Sequence, residues 1–266
     1  MRNMLRCLGL AVALCAVVGC TSQESGDANE DVIVAIATSD VVALQKFAER
    51  GNVQAQYSLA LCYARGTGVV KDQGEAFKWT RLAADQGYAI AQCRLALCYM
   101  NGDSVPQDSD QAVKWFRMAA EQGYVNAQMC LVGLYMTGEN VPQDYEQVVK
   151  WSRMAAEQGD AEAQGILGGC YARGEGVLQD YEQAVKWSRK GADQGDAVAQ
   201  FGLGMFYEFG TGVPKDAVMA YMWFNLAGAT LEGARNQILR LSSTMTPEQI
   251  AEAQQLSRDW KPKTGE

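Results

Sequence analysis

The chain repeats itself every 36 residues and never slips register. Blocks begin at Gly51, Gly87, Gly123, Gly159 and Gly195, and the same landmarks return in each. Tryptophan stands at Trp79, Trp115, Trp151, Trp187 and Trp223, and tyrosine at Tyr63, Tyr99, Tyr135, Tyr171 and Tyr207. An Ala-Gln pair begins at Ala55, Ala91, Ala127, Ala163 and Ala199. The stretch VKWSRMAAEQG at Val149 has near copies at Val113 and Val185. A constant period of this length excludes a single core wrapped by unlike elements, because each unit must bury its apolar face against the next copy of itself.

Spacing inside a unit gives its elements. Ala163, Leu167 and Cys170 lie four and then three apart, which sets them on one face of a first helix. That helix must stop near Gly174. Gly66, Gly102, Gly138, Gly174 and Gly210 are each followed two places on by Gly68, Ser104, Asn140, Gly176 or Gly212. All of these, Ser104 least well, accept the left-handed backbone of a tight turn. A second helix starts at Asp72, Asp108, Asp144 and Asp180, each with Glu or Gln three residues on (Glu75, Gln111, Gln147, Gln183) as a reciprocal capping box. On the second helix Val148, Trp151 and Ala155 share a face, a large ring flanked by small groups. Glu146 with Lys150, Glu182 with Lys186 and Asp110 with Lys114 are spaced for ion pairs on the opposite face.

The fold expected is therefore all-α: an α/α solenoid of five 36-residue helix-turn-helix repeats over residues 51–230, with helical caps. Residues 32–50 read as an N-terminal capping helix and residues 231–260 as C-terminal capping helices, leaving 261–266 as a tail. Thr246, Pro247 and Gln249 write the start of the last helix as cap, first-turn proline and reciprocal glutamine. The pattern D-A-x-A-Q, L-G-x-x-Y, G-x-G-V, D, A-x-x-W-x-x-x-A-A-x-Q-G, nearly whole from Asp160 to Gly195, resembles the Sel-one-like repeat family, relatives of the tetratricopeptide repeat. The resemblance implies a right-handed superhelix whose first helices line the concave surface, and a protein-binding rather than catalytic role.

The N-terminus has a different composition. Residues 1–19 hold two arginines and an apolar run from Leu8 to Val18, too short to span a bilayer and suited to a signal peptide. The ending VVGC, Val17 to Cys20, resembles the bacterial lipobox. This implies cleavage after Gly19, a lipid on Cys20 and, with Thr21 rather than aspartate next, residence in the outer membrane facing the periplasm. The alternative is an ordinary signal peptide and a secreted or periplasmic chain. Residues 20–31 contain no large aliphatic side chain before Asp31 and read as a flexible tether.

Chemistry is poorly provided for. There is no histidine, which removes the usual general base and the commonest metal ligand. No S-x-x-K, G-x-S-x-G, G-x-G-x-x-G or P-loop occurs, and most recurrent acids are caps or helix-surface pairs. No catalytic residue, metal, cofactor or small-molecule substrate is expected. A net charge of −8, two units lower once Arg2 and Arg6 are cleaved away, disfavours nucleic acid. Cys62, Cys98 and Cys170 share one apolar slot, and with Cys93 and Cys130 they read as buried thiols, or as bridged cysteines with Cys93–Cys130 the leading pair. Opposite the core of the first helix lie Tyr57, Leu61, Leu97, Met100, Met129, Met136, Phe201 and Met205, either a groove for a partner peptide or the stacking surface between first helices. The function expected is a non-catalytic, membrane-anchored scaffold for an envelope or secreted protein. The alternatives are an immunity protein that neutralises a secreted toxic effector, and a cell-wall or β-lactam hydrolase, against which the missing motifs speak.

Overall fold

The computed structural model describes residues 26–263, so residues 1–19, read above as a signal peptide, and Cys20 lie outside the described residues. Among the described residues there are fourteen α-helices and no strand. Helices α1 (Gly26–Thr38) and α2 (Val41–Glu49) precede five pairs. These are α3 (Val53–Arg65) with α4 (Gln73–Asp85), α5 (Ala89–Asn101) with α6 (Ser109–Glu121), α7 (Val125–Thr137) with α8 (Tyr145–Glu157), α9 (Ala161–Arg173) with α10 (Tyr181–Asp193), and α11 (Ala197–Phe209) with α12 (Ala217–Ala227). Helices α13 (Glu232–Ser242) and α14 (Pro247–Asp259) close the chain. The protein is an α/α solenoid whose helices fall into two compact units, Met1–Ala119 and Ala120–Glu266.

The first unit opens with a cap of two helices, not one. Ser39 takes a left-handed φ of 54°, and the Asp40 carboxylate then accepts from the amides of Val42 and Ala43, starting a new helix. Helix α1 begins at Gly26, so residues 26–31, read as tether, are helical. Glu30 and Asp31 stand in its first turns, where the helix dipole favours negative charge. Ala35, Leu44 and Ala48 of the cap are buried with Ala55, Leu59, Cys62 and Trp79 in one cluster, so the lid covers the apolar face of repeat one.

The turn and cap chemistry follows the sequence closely. Gly66, Gly102, Gly138, Gly174 and Gly210 close their helices with φ between 69° and 77°. Ser104 and Asn140 hold the left-handed place two residues later, at 65° and 66°. Asp72, Asp108, Asp144 and Asp180 each accept from the amide three residues on. The return arm of the capping box forms at Thr246, whose amide donates to Gln249 at 3.0 Å. At Asp72 the arm is spent elsewhere, because Glu75 turns to Lys78 at 3.1 Å. The three expected acid-before-base pairs are not among the ion pairs of the described residues; Lys150 instead lays its ammonium over the Trp151 ring, 4.3 Å from the centroid.

Both glutamines of the repeat are structural. In the second unit Gln128, Gln164 and Gln200 are at most 4% exposed, and each donates to the carbonyl eight residues back, Ala120, Ala156 and Ala192, at 3.0, 3.1 and 3.3 Å. Gln158 and Gln194, the last glutamines of VKWSRMAAEQG and its copy, donate in turn to Gln128 and Gln164 at 3.0 and 2.8 Å. The first unit repeats the device with Gln56 on Ala48, the cap's own carbonyl, and Gln86 on Gln56 at 2.7 Å. Gln56, Gln128 and Gln164 thus tie the start of a first helix to the end of the preceding second helix and to the Gln thirty residues on, while Gln200 makes the first of these two ties, so the buried polar groups answer one another.

Val148, Trp151 and Ala155 are all fully buried, and Trp79 and Trp223 nearly so, whereas Trp115 and Trp187 remain half-buried. At the C-terminus Trp260 meets Trp223 edge-on, with centroids 6.4 Å apart. The first residues of the supposed tail are held rather than free: Lys263 donates from its amide to Asp193 O at 2.7 Å and pairs with its carboxylate at 2.8 Å.

Candidate partner-binding surface

The residues opposite the core sit on four first helices. In the first unit Tyr57 and Leu61 project from α3, and Leu97 and Met100 from α5; all four are half-buried. Tyr57 meets Tyr88 edge-on at 5.5 Å and packs with Phe77 and Tyr99 against Ala83, Ala84, Ala91 and Leu95. Leu61 faces a recess of about 220 Å³ shared with Ile36, Ser39 and Arg65, where the N-terminal cap meets repeat one. In the second unit Met129 is half-buried and Met136 is 36% exposed on α7. Phe201 and Met205 on α11 pack against the cluster of Ala220, Tyr221 and Phe224, with the Phe201 and Phe224 rings 5.5 Å apart. Tyr57, Phe201 and Met205 therefore join neighbouring helices while also contributing to the surface.

A further recess lies in repeat four, where the slots equivalent to Tyr57, Leu61 and Ala64 hold Gly165, Gly169 and Ala172. The side chains that Tyr57 and Leu61 supply in repeat one are missing and Ala172 keeps only the methyl of Ala64, and a recess of about 240 Å³ lies between α9 and α11. Phe201 and Met205 wall it, and Ser188, 2% exposed, supplies a hydroxyl. Arg173 lies along one side: a Cβ placed on Gly169 would come 3.2 Å from its Nη1. Its Nε is held by Glu175 at 2.7 Å, which fixes the guanidinium near the opening. Gly165, Gly169 and Ala172 were legible from the slot rule once it is applied to repeat four; Ser188 and Arg173 belong to other slots and carried no signal.

Among the described residues no group of three or more Cys, Asp or Glu could hold a metal ion. Cys62, Cys98 and Cys170 are free thiols that burial pushes up, Cys170 to about 11, so the nucleophilic thiolate is suppressed at neutral pH. Cys93 is buried and Cys130 half-buried. No helix among the described residues is long and apolar enough to cross a membrane.

An α/α solenoid with an apolar first-helix surface defines a class of repeat proteins, and the sequence model of one family matches it five times. The Sel1 repeat model matches residues 53–88, 89–124, 129–160, 161–196 and 197–229. The chain belongs to the Sel1 repeat family. Among solved structures it is similar to a Sel1 repeat protein from Oxalobacter formigenes, at 30% identity and TM-score 0.72, over 87% of this chain and 99% of that one. It is also similar to c5321, a protective antigen of uropathogenic Escherichia coli strains displaying an SLR fold, at 30% identity and TM-score 0.54, over 85% of this chain and 56% of the antigen, little more than half its length. No curated protein matches the chain.

Proposed function

We propose that the chain is a non-catalytic scaffold of the bacterial outer membrane, acylated on Cys20 and facing the periplasm, that holds an envelope or secreted protein against its first helices. Sel1 repeat proteins typically mediate protein–protein interaction, and this chain carries five such repeats. The observation that carries the reading is the recess of repeat four, where Gly165, Gly169 and Ala172 leave room for a partner's side chain between walls of Phe201 and Met205. The lipobox-like VVGC supports the anchor. A secreted toxic effector as the captured protein would make the same scaffold an immunity protein.

Filling the recess separates binding from folding. Gly169→Leu adds a better helix former by about 1 kcal/mol, and its Cβ meets only the guanidinium end of the Arg173 side chain and no backbone. An affinity-tagged chain is expected to sediment with the outer membrane and to capture one defined protein in stoichiometric amount. The Gly169→Leu variant is expected to sediment and melt like the parent but to capture about tenfold less or worse, a loss of about 1.4 kcal/mol or more. Undiminished capture by the variant, or a soluble parent chain, contradicts the reading.

A further inference from the structure

One hydroxyl in repeat four is left unanswered. The second-helix slot of Thr80, Phe116, Ser152, Ser188 and Phe224 is buried in every repeat, and two repeats fill it with a phenyl ring, so packing there calls for no polar atom. Ser152 satisfies its own hydroxyl by donating to Val149 O at 3.4 Å. Ser188, only 2% exposed, makes no hydrogen bond among the described residues, a state that opposes folding. Its Oγ lies where two helices lack side chains: a Cβ on Gly168 of α9 would collide with it, and a Cβ on Gly202 of α11 would stand 3.7 Å away. Gly202 and Ser188 both line the repeat-four recess. Unlike the indole nitrogens of Trp151 and Trp223, this hydroxyl is not sealed off, so the recess reaches it.

The order of burial gives the recess a floor, walls and a rim. Ser188 is the floor, Phe201 and Met205 are half-buried walls, and Val198, 55% exposed, lies outermost with Arg173. Glu175 engages only Nε of Arg173, so the other guanidinium N–H groups remain for a partner's backbone carbonyl at the opening. An occupant that suits this order needs an apolar body between the walls and a hydrogen-bonding atom at its leading end. Leucine, methionine and phenylalanine would leave the hydroxyl without a partner. Lysine would carry a cation past Arg173 into an apolar enclosure. Tryptophan bears its N–H on the flank of the ring system, whereas tyrosine bears its oxygen at the tip of the long axis, where it can both donate and accept.

We infer that the recess takes a tyrosine side chain of the captured protein, its ring between Phe201 and Met205 and its phenol hydrogen-bonded to Ser188 Oγ. The inference rests on the scaffold reading and names the kind of residue by which the partner is held. The test titrates the full chain, labelled with nitrogen-15, with p-cresol and with toluene, the side chains of tyrosine and phenylalanine, and so needs no identified partner. Saturable shifts with p-cresol are expected at the amides of Gly169, Ser188, Gly202 and Met205, and Gly169→Leu should abolish them. In Ser188→Ala the preference for p-cresol over toluene should fall about fivefold, the size of one hydrogen bond. The variant should melt no lower than the parent, because the hydroxyl makes no bond within the chain. Taking the ratio of the two probes in each protein removes their difference in hydrophobicity. No saturable shift with p-cresol, or an unchanged preference in Ser188→Ala, as when water alone answers the hydroxyl, overturns the inference and leaves capture by the first helices standing. A chain that captures no protein contradicts the scaffold reading whatever the probes show, so the two failures are told apart.

Discussion

Trp151→Ala is expected to cost about 3 to 5 kcal/mol, the range for deleting a large aromatic side chain from a core that cannot collapse around the gap. The ring is fully buried, and Val148 and Ala155 on its own helix are equally inaccessible. Its indole N–H has no hydrogen-bond partner among the described residues, so the stabilisation comes from burial and packing alone. The same change at Trp187, which is half-buried under Lys190, should cost clearly less although the residue occupies the same place in its repeat. Guanidinium denaturation of the two variants, followed by circular dichroism, measures the difference. Equal losses would mean that the tryptophan slot is energetically uniform, contrary to the burial.

Gly176→Asn is expected to destabilise by at least about 2 kcal/mol, although asparagine occupies the same place one repeat earlier. Backbone angle is not the obstacle, since Asn140 adopts φ 66° and Gly176 adopts 68°. The obstacle is space: a Cβ on Gly176 would stand 2.1 Å from the carbonyl oxygen of Tyr145 and 2.7 Å from the amide nitrogen of Glu146. The turn of repeat four therefore lies directly on the first residues of the second helix of repeat three, and any side chain forces them apart. Gly212 is pressed against Tyr181 O in the same way, at 2.5 Å. In the first unit Ser104 accommodates a side chain at the matching contact, its hydroxyl donating to Gln73 O at 3.3 Å. The reverse change, Asn140→Gly, should stay within about 1 kcal/mol of the parent. Thermal melts of both variants test the contrast, which fails if Gly176→Asn melts with the parent.

Elements with a period were open to the sequence; of those without one, the last helix announced its start at Thr246 and Pro247, while the break at Ser39 did not. The helix pairs, their glycine stops and their aspartate caps follow from 36-residue spacing and local backbone preference, both written in short stretches of chain. The role of the Ala-Gln glutamine was not visible even though its recurrence was, because its partners, eight residues back and thirty residues on, become neighbours only once helices stack. The break at Ser39 was hidden for a similar reason: a left-handed serine is unfavourable locally and is tolerated because Leu44 and Ala48 on one side, and Ala35 on the other, are buried against repeat one. On the candidate surface the sequence supplied the slots but not their depth. Gly169 leaves the recess open and Gly165 lets α11 approach closely, and a reading that looks for large residues passes over the place where they are absent.

The central functional claim is that partners meet the first helices and not the solvated faces of the second. In-cell photo-cross-linking from a benzophenone amino acid separates the two, placed at Met136 on first helix α7, 36% exposed, or at Glu182 on second helix α10, also exposed. Irradiation is expected to give a discrete heavier adduct from position 136 and none from position 182. Adducts from position 182 alone, or equally from both, would contradict the account.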